Sequence, residues 1–436
     1  KQLGHRVTGS DANVYPPMST QLEEQGIELI QGYDPSQLSP APDLIVVGNA
    51  MSRGNPCVEA MLNLNLPYIS GPQWLNEFVL KDKWVLATAG THGKTTTTAM
   101  LAVALQAAGA DPSFAVGGTI NTAGTNAHSG SGSIFIAEAD ESDGSFLAYK
   151  PSGAIITNVE LDHVDHFADV EAVFKVFEQF ISSIQANGFL VACGDDAGVK
   201  QLLTRITRKD LKILLYGKGE NNDFQIQRIQ LNPLSSLASV SSTGRKVGEL
   251  NLSVVGEHNL LNALAAFTAA SALNMAEDKL FTGLKSFTGT RRRFELKGEV
   301  SGVKVIDDYG HHPTEIIATL TAAKNLAQSA RVLVIFQPHR YSRTAAFFEQ
   351  FSAALSNADF TFLLEVYAAS EKAIPGVSSL MIARNMDQTK VRFEPSMLEV
   401  VSEITKMAKS GDVIITLGAG DISSLGEPIL QSLASR

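Results

Sequence analysis

Strand-length apolar runs alternate with stretches of helical character along almost the whole chain. In the first 82 residues the runs fall at 27–30, 44–47 and 68–69, the rhythm of a small doubly wound sheet. Between 83 and 289 the alternation repeats, predicting strands at 85–89, 133–137, 153–157 and 188–193. A polar, β-leaning stretch at 223–254 follows, with a hairpin signal at Thr243-Gly244, and then an Ala-rich helix over 260–273. From 290 onward strands are predicted at 303–306, 331–336, 361–364 and 412–417. With 436 residues the chain is too long for one compact core, so the pattern divides it into three α/β domains at 1–82, 83–289 and 290–436. Neither an internal repeat nor a low-complexity tract is visible.

The run from Val85 feeds the loop Gly90-Thr91-His92-Gly93-Lys94-Thr95-Thr96, and a helix is predicted over 95–108, ending at Gly109. A glycine loop lets backbone amides turn inward around phosphate oxygens, a lysine supplies charge for the outer phosphates, and a threonine hydroxyl at the helix start can ligate Mg²⁺. The usual spacing would place the first glycine at 88, where this chain has Thr88. The strand-loop-helix context nevertheless supports a triphosphate site over a bland turn. The fold expectation is therefore a Rossmann-like N-terminal domain, a central P-loop ATPase-type domain and a Rossmann-like C-terminal domain.

The formal net charge of −10 argues against a nucleic-acid partner, which needs clustered Lys and Arg. A small anionic ligand needs only local positive charge. Cys57 and Cys193 have no metal-ligand spacing and read as inert core thiols of a reducing compartment. With no apolar stretch of eighteen residues and no secretory pattern, no membrane insertion is expected and the location expected is cytoplasmic. Residues 1–11 read as a helix tail, a strand and an acidic strand end, so the domain's first strand and glycine loop are expected to be missing ahead of residue 1.

Six further segments carry chemistry. The strand at 134–137 delivers Glu138-Ala-Asp-Glu-Ser-Asp143, a carboxylate cluster that becomes reasonable around a divalent cation. The strand at 153–157 ends in a polar set containing Asn158, Glu160, Asp162, His163 and Asp165, with His163 a candidate metal ligand oriented by Asp162 or Asp165. Asn259 and Asn262 either pair with an adenine edge or cap the helix they open, and Arg291, Arg292 and Arg293 either bind a phosphoryl group or form a solvated turn. The polar groups at 307–313 precede a helix near Thr314, and Arg340 and Arg343, just after a strand, present guanidinium forks suited to a carboxylate.

GTHGKTTTT, EADESD, the Asp-His pair at 162–163, GEHNLLN, RRF, DDYGHHPTE and FQPHRYSRT occur in this order over nearly the whole chain and resemble the Mur ligases of peptidoglycan synthesis. More narrowly, they are similar to the family's alanine-adding branch. The resemblance implies ATP and Mg²⁺ as cofactors, UDP-N-acetylmuramate and L-alanine as substrates, and a reaction in which the lactoyl carboxylate attacks the γ-phosphate before the alanine amine displaces phosphate from the acyl phosphate. It implies that Lys94 binds the outer phosphates, that Thr95 and Glu138 hold one Mg²⁺, and that Glu138 and His163 hold a second. Asn259 would read adenine, Asp308 the ribose and Arg293 a phosphate. Tyr309, His311, Arg340 and Arg343 would surround the incoming amino acid and the reacting carboxylate, and Asp11 and Asn49 would belong to the substrate site. Segments 9–18, 48–56 and 70–74 look more like the sister branch that joins a recycled L-Ala-γ-D-Glu-diaminopimelate tripeptide to the same sugar nucleotide, the alternative reading. A nucleotide-dependent binding protein without ligation is a third. Some sister ligases carry a carbamoylated lysine near the metal; that position falls on Phe177, so no modified lysine is expected.

Overall fold

The computed structural model describes residues 1–14, 18–49, 51–142, 144–369 and 371–436. At the N-terminus β1 (Thr8–Asp11) pairs in parallel with β2 (Glu28–Gln31), and β3 (Ile45–Val47) with β4 (Tyr68–Ser70). Among the described residues these strands form two separate two-stranded sheets, where a single small sheet was expected. Residues 1–7 hold a turn, not the expected helix tail.

The middle of the chain builds one ten-stranded sheet from β5 (Trp84–Ala89), β6 (Ser113–Ile120), β7 (Thr125–His128), β8 (Ile134–Glu138), β9 (Gly153–Ile156), β10 (Phe189–Cys193), β11 (Lys212–Gly217), β12 (Phe224–Asn232), β13 (Ser235–Ser242) and β14 (Arg245–Leu252). Their spatial order is β14-β13-β12-β11-β10-β9-β5-β8-β6-β7. The strands from β5 to β11 that carry the motifs are parallel, and β12, β13 and β14 add an antiparallel meander turned at Thr243-Gly244, both at positive φ. Both faces of the parallel part are covered, which is why its strands read as unbroken apolar runs. On one face α1 (Lys94–Ala107) and α2 (Glu257–Ala272) bury Met100, Leu101, Leu260 and Phe267 against Leu86 and Ile136. On the other, helix Val170–Ser183 buries Phe174, Phe177 and Phe180, and Phe177 meets Phe146 edge-on.

The C-terminal sheet runs β15-β16-β20-β17-β18-β19, with β15 (Glu295–Val300) an antiparallel edge beside β16 (Val303–Asp308), β17 (Val332–Phe336), β18 (Phe360–Leu363), β19 (Val391–Phe393) and β20 (Val413–Leu417). Helices α3 (Pro313–Ala327) and α4 (Tyr341–Leu355) follow β16 and β17. Cys193 is buried as expected, whereas Cys57 is only half-buried. No helix among the described residues is long and apolar enough to cross a membrane.

The N-terminal part docks on the β6–β7 ribbon, where Gln21 Nε2 donates to Asn126 Oδ1 at 2.8 Å and Ser129 N donates to Gln2 Oε1 at 2.8 Å. The segments leaving the carboxyl ends of β9, β16 and β17 meet across the joint between the central and C-terminal sheets. Crevices at the carboxyl ends of parallel strands are where ligands bind in open α/β sheets.

Candidate active site

The glycine loop leaves β5 with Gly90 at φ +132 and Gly93 at φ +81. A Cβ at Gly90 would stand 2.0 Å from Thr157 Oγ1, and one at Gly93 would stand 2.6 Å from Asn262 Oδ1, so the backbone at both points runs too close to its neighbours for a side chain. The end of β9 pins the loop: Thr91 N donates to Asn158 O at 3.1 Å, His92 N to Asn158 Oδ1 at 2.7 Å, and Thr157 Oγ1 to His92 O at 2.6 Å. Helix α1 then starts at Lys94 with no side-chain cap, leaving its first amides for a ligand. This cradle fits a polyphosphate.

Lys94 Nζ lies 2.8 and 3.1 Å from the two oxygens of Glu141. Burial pushes the Glu141 carboxyl up to about 7 against the pull of Lys94. Burial also opposes the charge on Lys94, but Glu141 and Asp140 outweigh it and hold the lysine protonated. Thr95 Oγ1 donates to Glu138 Oε1 at 2.7 Å, and Gly117 N donates to Glu138 Oε2 at 2.5 Å. The ligand atoms that converge on His163 are those of Asp140 and Glu141, all within 4.8 Å of one another. Glu138, expected to share a metal with His163, accepts here from Thr95 and Gly117. Asp143 lies outside the described residues. Burial keeps His163 below the ordinary histidine range and hence neutral, as a ligand must be. The donor set of carboxylates, a hydroxyl and one imidazole suits a hard divalent ion.

The C-terminal domain closes over this set through charged contacts. Arg343 donates to Asp162 Oδ1 from Nη2 at 2.7 Å and from Nε at 3.0 Å, with both side chains under 5 % exposed. Burial alone would raise Asp162, but Arg343 and the neighbouring histidines hold it well below the usual carboxylate range. Arg340 pairs with Asp165. Thr314 Oγ1 donates to Glu160 Oε2 at 3.2 Å. The two arginines expected to face a free carboxylate are thus paired, in this state, with carboxylates from the loop after β9.

His311 is pushed down to about 4, chiefly by burial, so its ring is neutral, and its Nδ1 lies 3.1 Å from Tyr309 O. Arg292 and Arg293 stack over the Tyr309 ring at 4.9 and 5.1 Å, and Arg293 Nη1 reaches Glu315 at 3.5 Å. Asp308 accepts from Phe294 N, Gly310 N and Thr319 Oγ1 at 2.7 to 3.0 Å, and burial raises it to about 6. Its oxygens therefore already organise the joint. Asn259 gives its amide nitrogen to Val255 O at 2.8 Å, which is the helix-start role rather than base recognition for that half of the amide.

Two adjoining clefts open at this joint. One of about 290 Å³ is lined by His92, Gly93, Thr96, Asn259, Arg293 and Asp308; the other, of about 560 Å³, shares Asn259 and Arg293 and reaches Arg291 and Lys304. Asp11 and Asn49 line neither; both are exposed at or just past the carboxyl ends of β1 and β3. Tyr15, Pro16, Pro17 and Ala50, within two of the three N-terminal segments singled out in the sequence, lie outside the described residues. Glu141 on Lys94 and His312 beside His92 come from segments the sequence marked, though neither was given a role of its own there, whereas Glu315, also beside His92, was not singled out. The signal for Glu315 was the capping pattern His312-Pro-Thr-Glu315, and its carboxylate does accept from the amides of His311 and His312.

Known proteins resemble the chain over nearly its whole length. Residues 1–83 match the Mur ligase family catalytic domain, 88–270 the Mur ligase middle domain, and 292–420 the Mur ligase glutamate ligase domain. The UDP-N-acetylmuramate--L-alanine ligase of Renibacterium salmoninarum is 42% identical over 432 residues, covering 99% of this chain and 91% of the relative. The UDP-N-acetylmuramate--L-alanyl-gamma-D-glutamyl-meso-2,6-diaminoheptandioate ligase of Escherichia coli K12 is 40% identical over 449 residues, covering 100% and 94%. The crystal structure of the UDP-N-acetylmuramate-alanine ligase of Thermotoga maritima superposes with a TM-score of 0.84 at 26% identity, over 100% of this chain and 94% of that one. A glycine cradle, a carboxylate set and a C-terminal arginine pair meeting at one joint, in a chain matched from end to end by these domains, leave one assignment: the chain belongs to the Mur ligase family.

Proposed function

We propose that this protein is an ATP-dependent ligase that joins L-alanine to the lactoyl carboxylate of UDP-N-acetylmuramate, in the synthesis of peptidoglycan precursors in the cytoplasm. The observation that carries the reading is the meeting of the Lys94 cradle with Tyr309, His311, Arg340 and Arg343 at one interdomain joint. The similarity to alanine-adding ligases at 42% identity over 99% of the chain supports the choice of amine. Lys94 and Arg293 neutralise charge that spreads over the transferring phosphoryl, a contribution of electrostatic positioning. Thr95, Glu138, Asp140 and His163 are the groups that would hold Mg²⁺, which supplies further neutralisation of phosphate charge.

The lactoyl carboxylate attacks the γ-phosphorus, ADP departs, and the acyl phosphate forms. The alanine amine then attacks the acyl carbon and phosphate leaves. Arg340 and Arg343 match the carboxylate of alanine once Asp165 and Asp162 give way to it. A ring held near 4 is too weak a base to deprotonate an ammonium, so His311 serves to accept a hydrogen bond from the amine and aim it. The joint between domains shields the acyl phosphate from water.

A second reading, ligation of the L-Ala-γ-D-Glu-diaminopimelate tripeptide, rests on the 40% identity to the tripeptide ligase. ADP release measured with ATP, Mg²⁺ and UDP-N-acetylmuramate, with alanine and tripeptide in separate reactions, decides between them. Turnover with alanine supports the first reading; turnover with the tripeptide alone replaces it with the second.

A further inference from the structure

At the seam between the P-loop and α3 lies a second group of metal-capable side chains, distinct from the set around Thr95. His92 comes from the glycine loop, Glu160 from the segment after β9, and His312 from the N-cap of α3. One ligand atom from each lies within 4.8 Å of the other two. The two imidazoles face each other with centroids 4.7 Å apart.

Two features mark this group as more than a crowded joint. His312 is 4% exposed, and its Nε2 has no hydrogen-bond partner. His92 Nε2 and Glu160 Oε1 are ion-paired with one another, the contact that a shared ion would replace. The second feature is the support behind His92. Its Nδ1 lies 3.3 Å from Glu315 Oε1, the carboxylate-histidine partnership that fixes the tautomer and orients the other nitrogen toward a metal. Its main chain is held at both N and O by Asn158 and Thr157, so the ring projects from a fixed point.

We propose that His92, Glu160 and His312 form a binding site for a borderline divalent transition ion of the Zn²⁺ or Co²⁺ class, bridging the central and C-terminal domains. Two imidazoles and one carboxylate are the donor set such ions prefer, with a position left for water, whereas Mg²⁺ takes oxygen ligands. The ion fastens the P-loop to α3, so it stabilises the closed arrangement of the two domains.

The test is equilibrium dialysis of the full chain against Zn²⁺ with Mg²⁺ in large excess and no nucleotide, together with Co²⁺ absorption spectra and melting curves. The proposal expects one Mg²⁺-resistant equivalent of Zn²⁺, intense visible Co²⁺ bands from a four- or five-coordinate site, and a Zn²⁺-dependent rise in Tm. In His312→Gln and Glu160→Gln all three are lost, with affinity down at least tenfold, and in Asp140→Asn all three persist. Glu160→Gln keeps the test alive should the loss of the His312 cap unfold α3. Binding that Mg²⁺ displaces, binding that survives both substitutions, or binding that vanishes in Asp140→Asn would each overturn the assignment.

Discussion

Lys94 and Glu141 show how a buried pair can govern chemistry with little hold on stability. Replacing Lys94 with Met removes the cation that faces the outer phosphates, so kcat is expected to fall by about 10² to 10³, the usual cost of one preorganised electrostatic contact. Stability should change little, because Glu141 already sits near 7 through burial and takes a proton once its partner is gone. Steady-state ADP release and a melting curve on the same variant check both halves. Arg343 is the opposite case. Asp162 is held ionised and is 4% exposed, so Arg343→Met leaves a buried charge and should destabilise the protein by about 3–5 kcal/mol. Asp162→Asn with Arg343→Met should recover most of that loss in urea unfolding, since the cost lies in the unpaired carboxylate.

At the scale of elements, the glycine loop is the part whose shape the sequence dictates most strictly. Gly93→Ala must hold a left-handed backbone, costing about 1–2 kcal/mol, and must push Asn262 Oδ1 away from 2.6 Å. Since Asn262 follows Asn259 on α2, the expected result is at least a tenfold loss of ATP affinity by calorimetry with a much smaller change in Tm. The strands β5, β8, β9, β10, β16, β17 and β20 were legible because parallel strands covered on both faces must be continuously apolar. The ribbon of β6 and β7 was not, since Gly117, Gly118, Asn121 and Gly124 interrupt any period-two pattern there. The same limit applies to the site. Lys94, Thr95 and Glu138 announce themselves by local motif, and they do meet. The partner of Lys94 depends on which strands become neighbours, and the Glu315 and Asp162 partners of His92 and Arg343 on how two sheets turn toward each other, neither of which spacing within one segment encodes.

On the scale of the whole molecule, the joint between the central and C-terminal domains holds several histidines that the fold keeps uncharged. His258 is lowered to about 4, first by burial and then by Arg293. His339, which stacks on Tyr367 at 5.6 Å, is lowered to about 3, again first by burial and then by His311, Arg343 and Arg340. For a histidine whose pKa is depressed on folding, the unfolded chain binds the extra proton, so stability present above about 6.5 is lost as pH falls toward 4 and then 3. Each ring contributes at most on the order of 3–5 kcal/mol to that loss if wholly shielded, less where water reaches it. Urea unfolding at pH 7.5 and at pH 5 should therefore show a lower midpoint at pH 5, and His258→Gln should reduce the difference without abolishing it. Because His258 lines the cleft shared by Gly93 and Arg293 and His339 lies beside Arg343, acid should act first on the closure of the joint. Substrate-dependent ADP release would then decline at a higher pH than the one at which the central sheet unfolds, and following activity and far-UV circular dichroism through the same titration separates the two.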